Sequence, residues 1–174
     1  MKAEALPRET GLLAGILPTA TLLLLALVAV MPLRIPGYAA VTPAFVLMGL
    51  YYWTVYRPDL APPIAVFAAG LVADLLTGTP LGVHPLVLLT VRGAVMPQRR
   101  YFVGRLFPFV WTGFTLAAAA ALGFEWAIGS IYNGVFLDPR VVALQWVLTV
   151  AAFPPVSYLL MRLQRLSAIG AVDA

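Results

Sequence analysis

The 174-residue chain has no cysteine and a single histidine, His84. A disulfide, a thiolate nucleophile and a cysteine-ligated metal are thereby excluded. A lone imidazole is a poor zinc site, since zinc takes at least three protein ligands as a rule. Charge is equally scarce. Asp, Glu, Lys and Arg make up 10% of the chain, against about 25% in an ordinary soluble domain. No Gly-x-Ser-x-Gly or His-Glu-x-x-His motif occurs, and the spacing places no serine near the only histidine. No glycine-rich phosphate loop follows a strand. The chain therefore offers no catalytic set, no cofactor site and no metal site, and is expected not to be an enzyme.

What the chain does have is apolar length: 62% of its residues are hydrophobic. A water-soluble fold of this size cannot hide so much apolar surface, so the expected solvent is lipid. A helix needs roughly 20 residues to cross a bilayer. About six such helices fit, with short loops and no separate soluble domain. The expected class is an all-α membrane protein forming a single domain over 1–174. Its spans are placed at 11–31, 38–56, 63–77, 81–96, 106–128 and 140–161. The first apolar run exceeds the roughly 7–15 residues of a signal-peptide core, and is read as an uncleaved span.

The net charge is +4. Its distribution gives orientation. With the N-terminus inside, the inner segments hold Lys2, Arg8, Arg57, Arg92, Arg99, Arg100, Arg105, Arg162 and Arg165, and the outer segments hold Arg34 and Arg140. Such a bias places both termini in the cytoplasm. The loop bearing Arg99, Arg100 and Arg105 then faces anionic lipid or, as the second reading, a cytoplasmic partner, rather than nucleic acid. Arg92, inside the fourth span, is expected to snorkel to the inner headgroups. Tyr51, Tyr52, Trp53 and Tyr56 read as an interfacial aromatic belt.

Small residues recur at four-residue spacing at Gly11/Gly15, Ala69/Ala73 and Ala117/Ala121. Such pairs let membrane helices approach closely. Pro18 is expected to kink the first span, and Pro154-Pro155 the sixth. Spans three and four are short. They either cross fully or form a re-entrant hairpin shielded by protein.

The polar interruption lies in that hairpin. Phe67 to Leu86 carries Asp74, His84, Gly70, Gly78, Gly82, Pro80 and Pro85. A carboxylate at this depth is costly unless paired. It is either a proton, ligand or partner-anchoring group, or a structural acid that caps the Gly78–Gly82 turn and His84. A pairing of Asp74 with His84 is geometrically plausible. Glu125 falls near the outer end of the fifth span beside Trp126, and is expected to touch interfacial water.

The residues Tyr52-Trp53, Arg57-Pro58, Phe67, Gly70-Leu71, Asp74-Leu75-Leu76, Gly78, Pro80-Leu81-Gly82 and His84 resemble the MreD family of rod shape-determining proteins. The likeness covers Trp53 to Leu86. Elsewhere only length, the six-span plan and a basic loop after the fourth span agree, and the alanine-rich fifth span departs. The resemblance implies a non-enzymatic subunit of the bacterial inner membrane, within the cell-elongation machinery that builds lateral peptidoglycan. Its implied direct partner is MreC, a single-span protein with a periplasmic coiled coil. Implied indirect partners are RodA, the elongation transpeptidase and MreB. The implied fold is similar to the substrate-binding subunits of energy-coupling-factor vitamin transporters. The small-residue pairs above are the candidate faces for the MreC helix. Gly70, Asp74, Gly78, Pro80, Gly82 and His84 are the candidate structural or partner-contact residues. Two other classes share the composition. A vitamin-binding transport subunit predicts an outward pocket near Asp74, His84, Glu125 and Trp126; a small lipid-handling enzyme lacks a catalytic set.

Overall fold

The computed structural model describes residues 12–30, 41–102 and 106–169. Six helices follow in order: α1 (Leu12–Val28), α2 (Phe45–Tyr56), α3 (Pro63–Thr77), α4 (Val83–Phe102), α5 (Phe107–Asn133) and α6 (Pro139–Ile169). No β-strand occurs among the described residues.

The contacts give a hub and a ring. Around the outside, α1 packs on α3, α3 on α4, α4 on α5, α5 on α6 and α6 on α1. Helix α2 touches all five. Its sequence, FVLMGLYYWTVY, has no polar face, and every residue from Val46 to Val55 is buried. A helix that is apolar all round belongs in the middle of other helices.

This overturns the aromatic belt. Tyr51, Tyr52 and Trp53 are buried, and only Tyr56 reaches the surface. Each buried ring finds a partner for its polar tip. Trp53 Nε1 donates to Thr21 Oγ1 at 2.9 Å, Tyr51 Oη to the Val110 carbonyl at 3.2 Å, and Tyr52 Oη to Gln164 Oε1 at 2.9 Å. Tyr51 also meets Phe114 and Phe153 edge-on, while those two rings stack with centroids 4.0 Å apart. The aromatic cluster thus ties the hub to α1, α5 and α6.

The buried Thr54 hydroxyl has no hydrogen-bond partner among the described residues. An orphaned buried hydroxyl costs about 1–3 kcal/mol, and valine has the same shape without it. Thr54→Val is therefore expected to leave the midpoint of SDS-induced unfolding unchanged or raise it. A clear drop would show that the hydroxyl is satisfied.

The second helix starts later than the expected 38. Residues 42–44 are not helical, because Pro43 disfavours helical geometry at Thr42. Helix α6 satisfies the freed backbone. Gln145 Nε2 donates to the Thr42 carbonyl at 3.1 Å, and Ala44 N–H donates to Thr149 Oγ1 at 3.0 Å. Irregular backbone at membrane depth is tolerated where protein encloses it in this way.

The fourth helix runs on through Pro97 to Phe102, so Arg99 and Arg100 lie in its last turn and not in a loop. Cations are favoured there by the negative end of the helix dipole. Arg105 and Gly11 lie outside the described residues. Arg92 Nε donates to the Ala61 carbonyl in the α2–α3 connection at 3.1 Å. Helices α5 and α6 extend past their expected spans, to Asn133 and Ile169, and α6 continues through Pro154-Pro155.

Helices α5 and α6 are long and apolar enough to cross a membrane, with only 28% and 17% of their apolar windows buried in the protein. The core helix of a soluble protein would be mostly covered. The ring instead turns large apolar side chains outward, among them Ile64, Leu75, Leu116 and Leu159. Trp111 and Trp146 stitch this pair together, their indole N–H groups donating to the Val150 and Thr115 carbonyls.

Candidate functional site

Helices α3 and α4 form a hairpin closed by five residues, 78–82. Gly78 ends α3 in the left-handed region (φ 72°), with its N–H on the Asp74 carbonyl at 2.9 Å. Gly82 follows at φ 101°. Glycine takes such angles without steric cost. Pro80 lies between them, its carbonyl accepting the Val83 N–H at 3.3 Å. Inward from the turn, a Cβ built on Gly70 would lie 2.6 Å from Pro85 N and 2.7 Å from Pro85 Cα. The missing side chain is what lets the two backbones touch.

Asp74 projects from the last turn of α3 into this turn and is wholly buried. Its carboxylate accepts four hydrogen bonds. Oδ2 takes the Gly82 N–H at 2.6 Å. Oδ1 takes the Thr79 hydroxyl at 2.8 Å, the His84 N–H at 3.1 Å and His84 Nδ1 at 2.7 Å. Two of these donors are backbone N–H groups at the start of α4, which have no partner within the helix. The negative charge also faces the positive end of the α4 dipole. One side chain thus closes α3, the turn and the start of α4.

His84 carries the network to a third helix. Its Nε2 lies 2.9 Å from Glu125 Oε1 on α5, and its Nδ1 lies 2.7 Å from Asp74. An imidazolium donates to both carboxylates, whereas a neutral ring carries one proton and serves only one of them. Glu125 was expected at interfacial water; instead it is about a quarter exposed and paired with the histidine. With Asp74 accepting four bonds and both imidazole nitrogens engaged, the cluster works as a clamp on α3, α4 and α5. Among the described residues no group of His, Asp and Glu is arranged to hold a metal ion.

Beside the clamp is a cavity of about 80 Å³, lined by His84, Glu125, Gln145, Thr42, Thr77 and apolar neighbours. A cavity of that volume holds two or three waters at about 30 Å³ each. It falls well short of the roughly 300–1,000 Å³ of a small-molecule site. Trp126 is not on its wall; its Nε1 donates to the Leu137 carbonyl in the α5–α6 connection.

A larger feature starts just inward of the clamp. Between α4 and α5 runs an apolar groove of about 290 Å³. One wall is Val87, Thr90, Val91 and Ala94; the other is Ala117, Ala120, Ala121 and Phe124. Both walls repeat at three- and four-residue steps, as faces of helices do. Val87, Val91 and Ala121 form a buried floor, while Thr90, Ala94, Ala120 and Phe124 leave the rim open. His84 stands one turn above Val87 and Glu125 adjoins Phe124, so the clamp sets how far apart the walls stand at that end.

The other small-residue faces lie differently. Ala69 and Ala73 are buried inside the protein, on a helix that packs against α1 and α4. Gly15 lies on α1.

The family model described as rod shape-determining protein MreD matches residues 10–163. Neither a curated protein nor a solved structure matches the chain.

Proposed function

The chain belongs to the MreD family of rod shape-determining proteins, and from that premise we propose that it holds the transmembrane helix of MreC in the α4–α5 groove. The role of the family is in cell shape. In this reading the chain is a non-enzymatic, multi-pass subunit of the bacterial inner membrane with both termini in the cytoplasm. Six helices cross, in a bundle of the kind seen in energy-coupling-factor substrate-binding subunits. The held MreC links it to RodA, the elongation transpeptidase and MreB, and so to lateral peptidoglycan synthesis.

The observation that carries the proposal is the groove. Lipid tails are as apolar as leucine, so helices associate in a membrane through close packing and hydrogen bonds. Close packing needs small residues on an accessible face. Ala94, Ala117 and Ala120 supply them beside an open rim, whereas Ala69 and Ala73 are already covered. The cavity at the clamp is too small for a vitamin, which favours this reading over a transporter subunit.

Filling the groove tests it. Ala117→Leu combined with Ala120→Leu is expected to cut the MreC recovered by affinity purification at least tenfold, or about 1.4 kcal/mol in binding. Leu75→Phe, on the outward side of α3, should change nothing. MreC recovered at wild-type levels with the doubly filled groove would rule this face out.

A further inference from the structure

At the end of the molecule opposite the clamp, α2, α5 and α6 enclose a cleft of about 460 Å³. We propose that it holds one anionic phospholipid, with the phosphate at Arg165 and an acyl chain along the apolar wall. The cytoplasmic placement of this end rests on the reading above; the chemistry of the cleft does not.

The volume lies within the range of small-molecule sites. The wall is apolar and aromatic, with Phe107, Pro154 and Met161 among its residues, and Tyr56 and Tyr158 at its edges. Arg165 also lines the cleft, and its Nη2 rests 3.8 Å from the Met161 thioether sulfur. A thioether is a weak acceptor with no charge. Arg162 stands beside it, its guanidinium 5.1 Å over the Tyr158 ring and donating to the Tyr158 hydroxyl from Nε at 3.0 Å and Nη2 at 2.7 Å.

No described carboxylate answers these two cations. Asp59 pairs with Arg57, and Asp74 and Glu125 pair with His84. Asp138 accepts from the Arg140 backbone at the other end of α6. One guanidinium lining an aromatic-walled cleft, with a second one helical turn away on Tyr158, calls for an anion with an apolar body. Arginine is suited to phosphate, presenting several N–H donors in a planar fork. The Tyr56 hydroxyl, which makes no hydrogen bond among the described residues, is a further donor. Exposed Tyr158 and Leu159 continue the apolar surface beyond the cleft, so the tail of a lipid can leave sideways. Basic pockets between membrane helices on the cytoplasmic side bind anionic headgroups by the same chemistry.

The test is native mass spectrometry of the full chain, released from dodecyl maltoside micelles doped equally with phosphatidylglycerol and phosphatidylcholine. One phosphatidylglycerol per protein is expected to be retained, with little phosphatidylcholine. Arg165→Gln should lower that retained fraction about tenfold and Tyr56→Phe should lower it less, while Arg99→Gln leaves it unchanged. The SDS-unfolding midpoint reports that each variant folds. Equal retention by Arg165→Gln and wild type would overturn the proposal. So would displacement of the lipid by millimolar inorganic phosphate, which would assign the site to the free anion. None of these outcomes depends on MreC, so failure here and failure of the groove are separable.

Discussion

Asp74→Leu is expected to lower stability by about 3–5 kcal/mol, the range found when one partner of a buried charge pair is removed. The leucine leaves the Gly82 and His84 N–H groups, the Thr79 hydroxyl and His84 Nδ1 without their acceptor. Nothing in the hairpin replaces it. The midpoint of SDS-induced unfolding in mixed micelles measures the loss. Asp74→Asn should cost less, because the amide keeps one oxygen and roughly the same shape. It cannot match wild type, since its NH₂ group faces donors where an acceptor is needed. If the role is structural, MreC binding by the asparagine variant should fall in step with its stability. Total loss of binding by a stably folded asparagine variant would show that the charge itself is required.

Gly70→Ala is expected to be destabilising although alanine is the better helix former. Alanine gains up to about 1 kcal/mol over glycine inside a helix. Against this, the new Cβ lies 2.6 Å from a backbone nitrogen of α4, which cannot rotate away as a side chain can. Overpacking costs about 1–3 kcal/mol, and here it pushes apart the two helices that the clamp joins. The clash should win, and Gly70→Leu should be worse. Gly123→Ala is the internal control: it also sits in a helix, but its Cβ meets nothing within 4 Å. Its unfolding midpoint should hold or rise. If Gly70→Ala behaved like Gly123→Ala, α3 and α4 would not be in contact at Pro85.

The groove follows from the same geometry. Both substitutions act on the hairpin, yet both should also lower MreC binding, because α4 is one wall of the groove and is fixed by its ties to α3 and to Glu125. A loosened α4 leaves the two walls at an uncertain separation. If the groove holds the partner helix as proposed, the knot of polar residues and the groove act as one device at two depths of the bundle.

Parts of this were legible in the sequence. The turn at Gly78 and Gly82 follows from residue type and spacing, as does the placing of Ala117 and Ala121 on one face of α5. The role of α2 does not. Its tyrosines and tryptophan at a helix end are also what an interfacial belt looks like, and only the ring of neighbours distinguishes the two. Pro43 was a local signal for the Thr42–Ala44 interruption, but what satisfies its backbone was hidden, because the partners Gln145 and Thr149 lie about a hundred residues away.

Glu125 was the site residue most within reach. Asp74 lies three residues before the end of the expected span 63–77, His84 three after the start of 81–96, and Glu125 three before the end of 106–128. All three therefore fall at one depth of the expected bundle. The transport-subunit reading groups them as a pocket, but matching the only histidine against every carboxylate by depth would have joined them as an ion-pair network. As a pairing, only Asp74 with His84 is read along the chain, which is half of the clamp.

In the proposed function this bundle serves the shape-determining machinery by holding a single-span partner. The most direct measurement is affinity purification of the tagged chain from native membranes in mild detergent, with mass spectrometry of whatever accompanies it in near-equal amount. The expected result is a single-span coiled-coil protein, lost when Ala117 and Ala120 are both leucine. A pair of ATPases with a second multi-spanning subunit, and no such coiled-coil protein, would contradict it.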